Sequence, residues 1–211
     1  MCKFWQKNQH NAKSFWAKSR ILRVPRFRAI LEIRKKKGRD PMDFLSMAKA
    51  RYSVRKYKDT PVEAEKLQKI LEAGRIAPTA TNAQPQKVLV LQSKEALEKA
   101  KDAARFYDAP VLLVVCADKE TAWKRKYDGM NSYQIDASIV TDHMMLQATE
   151  LGLGTLWICW FKEEVLREAF VLPENIVPVH LLAVGYADCE PAAPERHAEL
   201  RKPLDETVKF L

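Results

Sequence analysis

Two rhythms of apolar and polar positions alternate along this chain. Leu67, Ile70, Leu71 and Gly74 recur at helical spacing behind Thr60-Pro61-Val62-Glu63. In that stretch Thr60 would cap the helix, Pro61 would take its first position and Glu63 would close a capping box. Pro78 ends this helix. Lys87–Gln92 is a compact apolar strand, and Lys94–Arg105 is a charged, alanine-rich helix. Pro110–Ala117 carries Val-Leu-Leu-Val-Val-Cys, the continuous apolar run of a strand buried on both faces. Residues 118–131 mix charge with Trp123, Tyr127 and Gly129 and read as loop or irregular helix. Ser132–Leu151 is a long helix stopped by Gly152. A short strand at Thr155–Cys159, a short helix at Lys162–Phe170, a turn at Pro173 and a buried strand at Val179–Tyr186 follow. A last strand is expected at Thr207–Leu211. By pattern alone, alternating helices and strands point to an α/β domain.

Composition sharpens this picture in two places. Apolar residues make up 47% of 211 residues, enough for one domain with a sizeable core, and no apolar run is long enough to span a bilayer. Charge is unevenly placed. Residues 1–41 hold 13 Lys and Arg against 2 Asp and Glu, leaving 23 and 25 of the chain's 36 and 27 to residues 42–211. The first segment therefore reads as an extension, residues 1–41, ahead of a domain at 42–211. A nucleic-acid or membrane-surface arm and a targeting peptide both fit its basicity. The favoured reading is non-native or disordered sequence upstream of a start at Met42, with no function assigned. The cysteines Cys2, Cys116, Cys159 and Cys189 are scattered. They form no metal-binding pair and no disulfide framework, so no metal site is expected and a reducing cytoplasm is the simplest compartment.

Four segments carry candidate chemistry. Arg51-Tyr52-Ser53-Val54-Arg55 repeats cation, hydroxyl, cation at every second position. On an extended segment those side chains point one way and would converge on an anion-rich ligand, although a solvated basic patch has the same composition. Ala77-Pro78-Thr79-Ala80-Thr81-Asn82-Ala83-Gln84-Pro85-Gln86 follows the first strong helix. The side-chain amides of Asn82 and Gln84 offer the donor and acceptor that a pyrimidine edge requires, while an ordinary Pro/Asn turn is the plainer reading. Leu151-Gly152-Leu153-Gly154-Thr155-Leu156-Trp157-Ile158-Cys159-Trp160-Phe161 follows a helix, so its glycines are not a dinucleotide fingerprint. Gly152 reads as a helix C-cap. Arg196-His197 and Arg201-Lys202-Pro203-Leu204-Asp205-Glu206 lie near the end.

In this order and spacing, the four segments resemble the FMN-dependent nitroreductase family over roughly residues 44–211. The resemblance replaces the α/β expectation with an α+β fold. It implies a mostly antiparallel central sheet surrounded by helices, in an intertwined homodimer whose C-terminal segment reaches the partner. It also implies FMN as cofactor, NAD(P)H as co-substrate and a small-molecule electron acceptor, a nitroaromatic, quinone or similar compound. Hydride would pass through flavin N5 in a ping-pong scheme, with no catalytic residue required of the protein.

By the same resemblance, Arg51 and Ser53 match positions that bind phosphate and ribityl oxygens, and Arg55 the cation beside flavin N1 and O2. Pro78 and Thr79 match a pair that touches the flavin of the other subunit. Asn82 and Gln84 fall in the family's Asn-x-Gln-Pro pattern. Ile158 and Cys159 lie in the stretch whose backbone amides face N5 and O4. Arg201 matches the arginine that closes over the phosphate, with Lys202 secondary. This chain departs from the family by placing Cys159 and Trp160 where glycine or alanine is common. Trp160 would narrow or re-aim the substrate pocket. Cys159 is expected to be a small buried apolar residue, and His143, His180 and His197 need no catalytic role. Alternatives are a specialised flavin enzyme of the same fold, such as an ene-reductase or dehalogenase, a non-redox FMN-binding protein, or a nucleic-acid-binding protein using residues 1–41. The near-neutral remainder weighs against nucleic acid.

Overall fold

The computed structural model describes residues 43–211, so the expected extension falls outside the described residues. The chain runs α1 (Phe44–Ala50), α2 (Ala64–Ile76), a 3₁₀ turn (Ala80–Asn82), β1 (Gln86–Leu91), α3 (Lys94–Ala100), β2 (Val111–Asp118), α4 (Tyr133–Glu150), β3 (Gly154–Ile158), α5 (Glu163–Ala169), β4 (Ile176–Gly185), α6 (Arg196–Leu200) and α7 (Leu204–Thr207). The four strands form one sheet in the order β1-β2-β4-β3, and every neighbouring pair is antiparallel. The fold is α+β.

Connection lengths explain why alternation in sequence did not give a parallel sheet. α3 and α5 have 7 residues each, roughly 10 Å of helix. Neighbouring strands joined through them run antiparallel. α4 has 18 residues, roughly 27 Å, and it carries the chain back so that β3 runs parallel to β2. β4 then enters between those two strands, antiparallel to both.

All eight residues of β2 are buried, as its apolar run predicts. Alternate side chains of β2 and β4 go to opposite faces. Leu113, Val115, Leu182 and Val184 pack with Leu67 and Ile70 of α2 and Ala137, Val140 and Met144 of α4. Leu112, Val114, Leu181 and Ala183 pack with Ala100 of α3 and Leu166 of α5. α2 and α4 touch at Gly74, where a Cβ would lie 2.9 Å from Met144 Cγ. The absent side chain lets these two helices approach.

Local departures from the pattern have identifiable causes. α2 begins at Ala64, and Glu63 makes no side-chain cap. The Glu63 carboxylate instead accepts the Tyr186 hydroxyl at 2.7 and 2.8 Å and pairs with Lys66 at 3.3 Å, so the expected capping box does not form. α3 ends at Ala100 and Lys101–Ala103 turn, which cuts short the helix expected to Arg105. No strand forms at Thr207–Leu211. Thr207 ends α7, and Phe210 and Leu211 are exposed. α1, which the pattern reading passed over, is capped by Asp43, whose Oδ1 accepts from Leu45 N at 3.0 Å and Ser46 N at 3.2 Å. α4 stops at Gly152, which takes φ +76° as a C-terminal glycine does.

Candidate functional site

β3 is an edge strand, and the Arg51–Lys58 segment meets its outer side at Thr155 before running on to the exit of β4. Ser53 bridges Thr155 in parallel fashion, and Val54 N donates to Thr155 O at 2.9 Å. Further on, Lys58 N donates to Tyr186 O at 2.8 Å and Asp188 N to Lys56 O at 2.9 Å. Val54 is fully buried, while Ser53 and Arg55 on either side are exposed. The alternation expected of an extended segment is therefore present, with the apolar residue inward and the polar pair outward. Arg55 Nη1 donates to Ser53 O at 3.4 Å.

Arg51 closes α1 and meets the C-terminal segment there. Arg196 donates from Nη2 to Arg51 O at 2.6 Å, and from Nη1 to Ala193 O at 2.8 Å and Lys49 O at 3.2 Å. His197 Nε2 lies 3.2 Å from Lys49 O. The guanidinium of Arg196 is thus engaged with carbonyls, and among the described residues no carboxylate lies at ion-pair distance from Arg51 or Arg201. Burial lowers the pKa of Arg51, and the positive charges of Arg196 and Arg201 lower it further, against a smaller opposing effect of Asp142. Three guanidiniums this close repel one another, a strain that an added anion would relieve. Lys202 sits apart from this set, 3.9 Å from Glu206 within its own turn.

A cleft of about 600 Å³ opens beside β3. Arg55, Trp157, Ile158, Cys159 and Trp160 line one wall, and Ala103, Ala104, Arg105, Tyr107 and Lys162 the other. Arg105 stacks on the Tyr107 ring at 4.6 Å, and Trp160 is 93% exposed at the rim. The expected burial of Cys159 is not found. The residue is exposed because it lies one position past β3, where the chain leaves the sheet. His143 is held within α4, its Nδ1 2.9 Å from Ile139 O. A larger cleft of about 800 Å³, between Asp59–Val62 and α3, contains no expected site residue.

The Pro78–Gln84 loop forms a separate piece of the candidate site and does not line the cleft of Arg55 and Cys159. Thr81, Asn82 and Gln84 take φ of 52°, 56° and 50°, a left-handed region that costs such residues about 1 kcal/mol each. The loop is held from within and from below. Thr79 Oγ1 accepts from Gln84 N at 3.0 Å, and Gln84 Nε2 donates to Asn82 O at 3.3 Å. Asp136 of α4 accepts Ala80 N at 2.8 Å and the Ser132 hydroxyl at 2.7 Å. The side-chain amide of Asn82 has no partner within the described residues. Thr79 and Gln84 therefore shape the loop, and Asn82 is the member left able to bind.

Asp136 and Arg196 matter to this geometry, and neither stood among the expected site residues. Asp136 carried a faint signal as a carboxylate one turn after a serine at a helix start. Arg196 carried none beyond its neighbour His197.

The described residues thus combine an antiparallel α+β sheet, three neighbouring arginines at the end of α1 and an aromatic-lined cleft beside β3. The matching family model is that of the Nitroreductase family, over residues 48–105 and 98–186. The chain belongs to that family. A solved structure of a nitroreductase family protein from Clostridium difficile 630 is 51% identical, with a TM-score of 0.79, covering 80% of this chain and 98% of that one. An FMN-dependent nitroreductase from Clostridium difficile R20291 is 32% identical, with a TM-score of 0.65, covering 78% and 96%. A Methanothermobacter thermautotrophicus protein, provisionally named an NADH dehydrogenase/NAD(P)H nitroreductase, is 34% identical over 69% of this chain and 78% of its own length.

Proposed function

We propose that this chain is an FMN-dependent oxidoreductase that uses NAD(P)H to reduce a nitroaromatic, quinone or similar conjugated acceptor in a ping-pong cycle. The observation that carries the reading is the grouping of Arg51, Arg196 and Arg201 at one end of the Arg51–Arg55 segment, whose other end, Arg55, lines a cleft of about 600 Å³. FMN, when bound, supplies a ring that takes up a hydride from the nicotinamide and yields it to the acceptor in a separate half-reaction.

The residues present fit that cofactor. Arg51 and Arg201 would hold the phosphate, with Ser53 on adjacent oxygens. Arg55 would place a positive charge against the pyrimidine edge and stabilise negative charge there. The free amide of Asn82 matches the donor and acceptor of the same edge. The backbone at Ile158 and Cys159 forms the wall toward the reacting side. Trp160 would stack on or restrict the acceptor.

Pro78, Thr79, Asn82 and Gln84 do not line this chain's cleft, so the reading includes a homodimer. In it this loop, with Pro78, Thr79 and the Asn82 amide, reaches the flavin held by the partner. Exposed Leu200, Leu204, Phe210 and Leu211 on the segment that carries Arg201 support a partner-facing tail. The free thiols fit a reducing cytoplasm. Among the described residues no helix is long and apolar enough to cross a membrane.

The test is the visible spectrum of protein reconstituted with FMN and desalted, recorded before and after anaerobic NADPH or NADH. A retained flavin band that bleaches is expected. A folded protein that retains no flavin overturns the assignment of Arg51, Ser53, Arg55, Asn82 and Arg201 together.

A further inference from the structure

Three side chains from three elements meet on the α4 side of the sheet. Ile158 pairs with Leu181 across β3 and β4, so the next step of the register sets Cys159 opposite His180. Cys159 Sγ lies 3.6 Å from His180 Nδ1. His180 Nε2 lies 2.9 Å from Ser138 Oγ of α4. Ser138 Oγ in turn donates to Gln134 O at 2.7 Å.

One arrangement of protons satisfies all of these contacts at once. A hydroxyl has one proton, and Ser138 gives it to Gln134. Toward His180 it therefore acts as acceptor, so Nε2 carries the ring proton. A neutral imidazole has only one N–H, which leaves a lone pair on Nδ1 facing the thiol. Trp157 stands edge-on to the imidazole with ring centroids 4.8 Å apart and holds its plane. Burial pushes the His180 pKa below its usual value, so the ring stays neutral at physiological pH. A nucleophile touches a base, and a third group orients that base, the arrangement that activates a weak nucleophile. Two other described cysteines lack this setting. Cys116 is buried and its thiol is pushed up to about 12, while Cys189 is exposed with Tyr52 Oη at 3.9 Å.

We propose that Cys159 is a nucleophilic thiol site, served by His180 as base and Ser138 as positioning residue, that takes soft conjugated electrophiles of the quinone class. The S–H bond breaks and its proton passes to His180 Nδ1. Sulfur bonds to a ring carbon conjugated with a quinone carbonyl, and the electron pair of the C=C bond moves to the carbonyl oxygen. That oxygen takes the proton back, and loss of the ring proton to the second oxygen gives a hydroquinone thioether. The quinone is the two-electron acceptor, so no other oxidant is needed. The thiol chemistry requires no flavin, although Cys159 lines the same cleft that the reductase reading gives to the cofactor.

The test uses the full chain with limiting N-ethylmaleimide, following Cys159 and Cys189 by peptide mass spectrometry. Cys159 is expected to react at least about tenfold faster, a conservative share of what a positioned base supplies. His180→Gln removes the advantage, and Ser138→Ala reduces it by releasing the tautomer. p-Benzoquinone adds one equivalent at Cys159. Equal rates at the two cysteines, or an advantage that survives His180→Gln, overturn the proposal. Absence of the quinone adduct overturns the assigned ligand class. If His180→Gln does not fold, Ser138→Ala decides alone, and an unchanged rate there overturns the role of the base.

Discussion

Gly154→Ala probes whether β3 and the Arg51–Arg55 segment form one unit. A Cβ at Gly154 would lie 2.5 Å from Val54 Cγ2, 3.2 Å from its Cβ and 3.3 Å from its Cγ1. Val54 is fully buried and its backbone is bonded to Thr155, so it has no room to retreat. Overpacking of this kind costs roughly 1–3 kcal/mol, and the lower chain entropy of alanine returns about 0.4–1 kcal/mol. The net loss should be about 1–2 kcal/mol, read as a fall in Tm of about 2–8 °C. Any residual strain moves Val54, and with it Ser53 and Arg55, so FMN affinity measured by flavin fluorescence quenching should fall as well. Val54→Ala removes Cγ2, the closest atom, together with Cγ1 and keeps Cβ. In that background Gly154→Ala should cost at least about 1 kcal/mol less than alone, a coupling in the range found for touching residues. Urea denaturation of the four proteins gives the cycle directly. An unchanged Tm in Gly154→Ala, or additive effects in the double variant, would refute the close packing on which this reasoning rests.

Arg51→Ala should weaken FMN binding by roughly 10–100-fold, the loss of about 1.5–3 kcal/mol for a charged hydrogen bond. Riboflavin, which lacks the phosphate, should bind both proteins equally, and an equal loss for both ligands in titration would place Arg51 elsewhere. Asp136→Ala leaves the Ala80 amide and the Ser132 hydroxyl without their acceptor. It should lower stability by about 1–3 kcal/mol in urea, and a variant as stable as the parent would remove Asp136 as the anchor of the loop. His180 gives a pH dependence with a definite sign. Its folded pKa is depressed by burial, so its contribution is intact above the unfolded value of about 6.5 and declines as pH falls through and below it. The parent's urea midpoint should therefore drop more steeply than that of His180→Gln between about pH 7 and 5.5, whereas parallel curves would contradict the depressed pKa.

What could be read from the sequence was whatever one element specifies alone. The eight-residue run of β2, the stop of α4 at Gly152 and the alternation at Ser53-Val54-Arg55 each carry their own pattern. Strand direction does not. The antiparallel order follows from how far α3, α4 and α5 carry the chain, and resemblance to a family supplied it before geometry did. Contacts between distant segments were equally hidden. Glu63 has the spacing of a capping box yet goes to Tyr186, 123 residues away. Asp136 reaches back to Ala80, and Arg196 to the carbonyl of Arg51. Cys159 was misjudged for a related reason, because a small residue after an apolar run looks buried until the exact end of the strand is known.

Edge strands need cover, since unpaired backbone invites the wrong partner. Here an extended segment pairs with β3 at Thr155 and carries polar residues of the candidate site. Its inward residue, Val54, is clamped over Gly154, which leaves Ser53 and Arg55 facing outward beside the cleft. The ends of the same segment are tied differently. Lys58 and Lys56 join the exit of β4, while the Arg51 carbonyl is held by Arg196 from the C-terminal tail. The tail gains its hold on the domain from that guanidinium and from His197, and places Arg201 near Arg51 at the same time. Edge protection, tail docking and the grouping of the three arginines are therefore one set of contacts. A change at Arg196 reaches Arg51 through its own backbone.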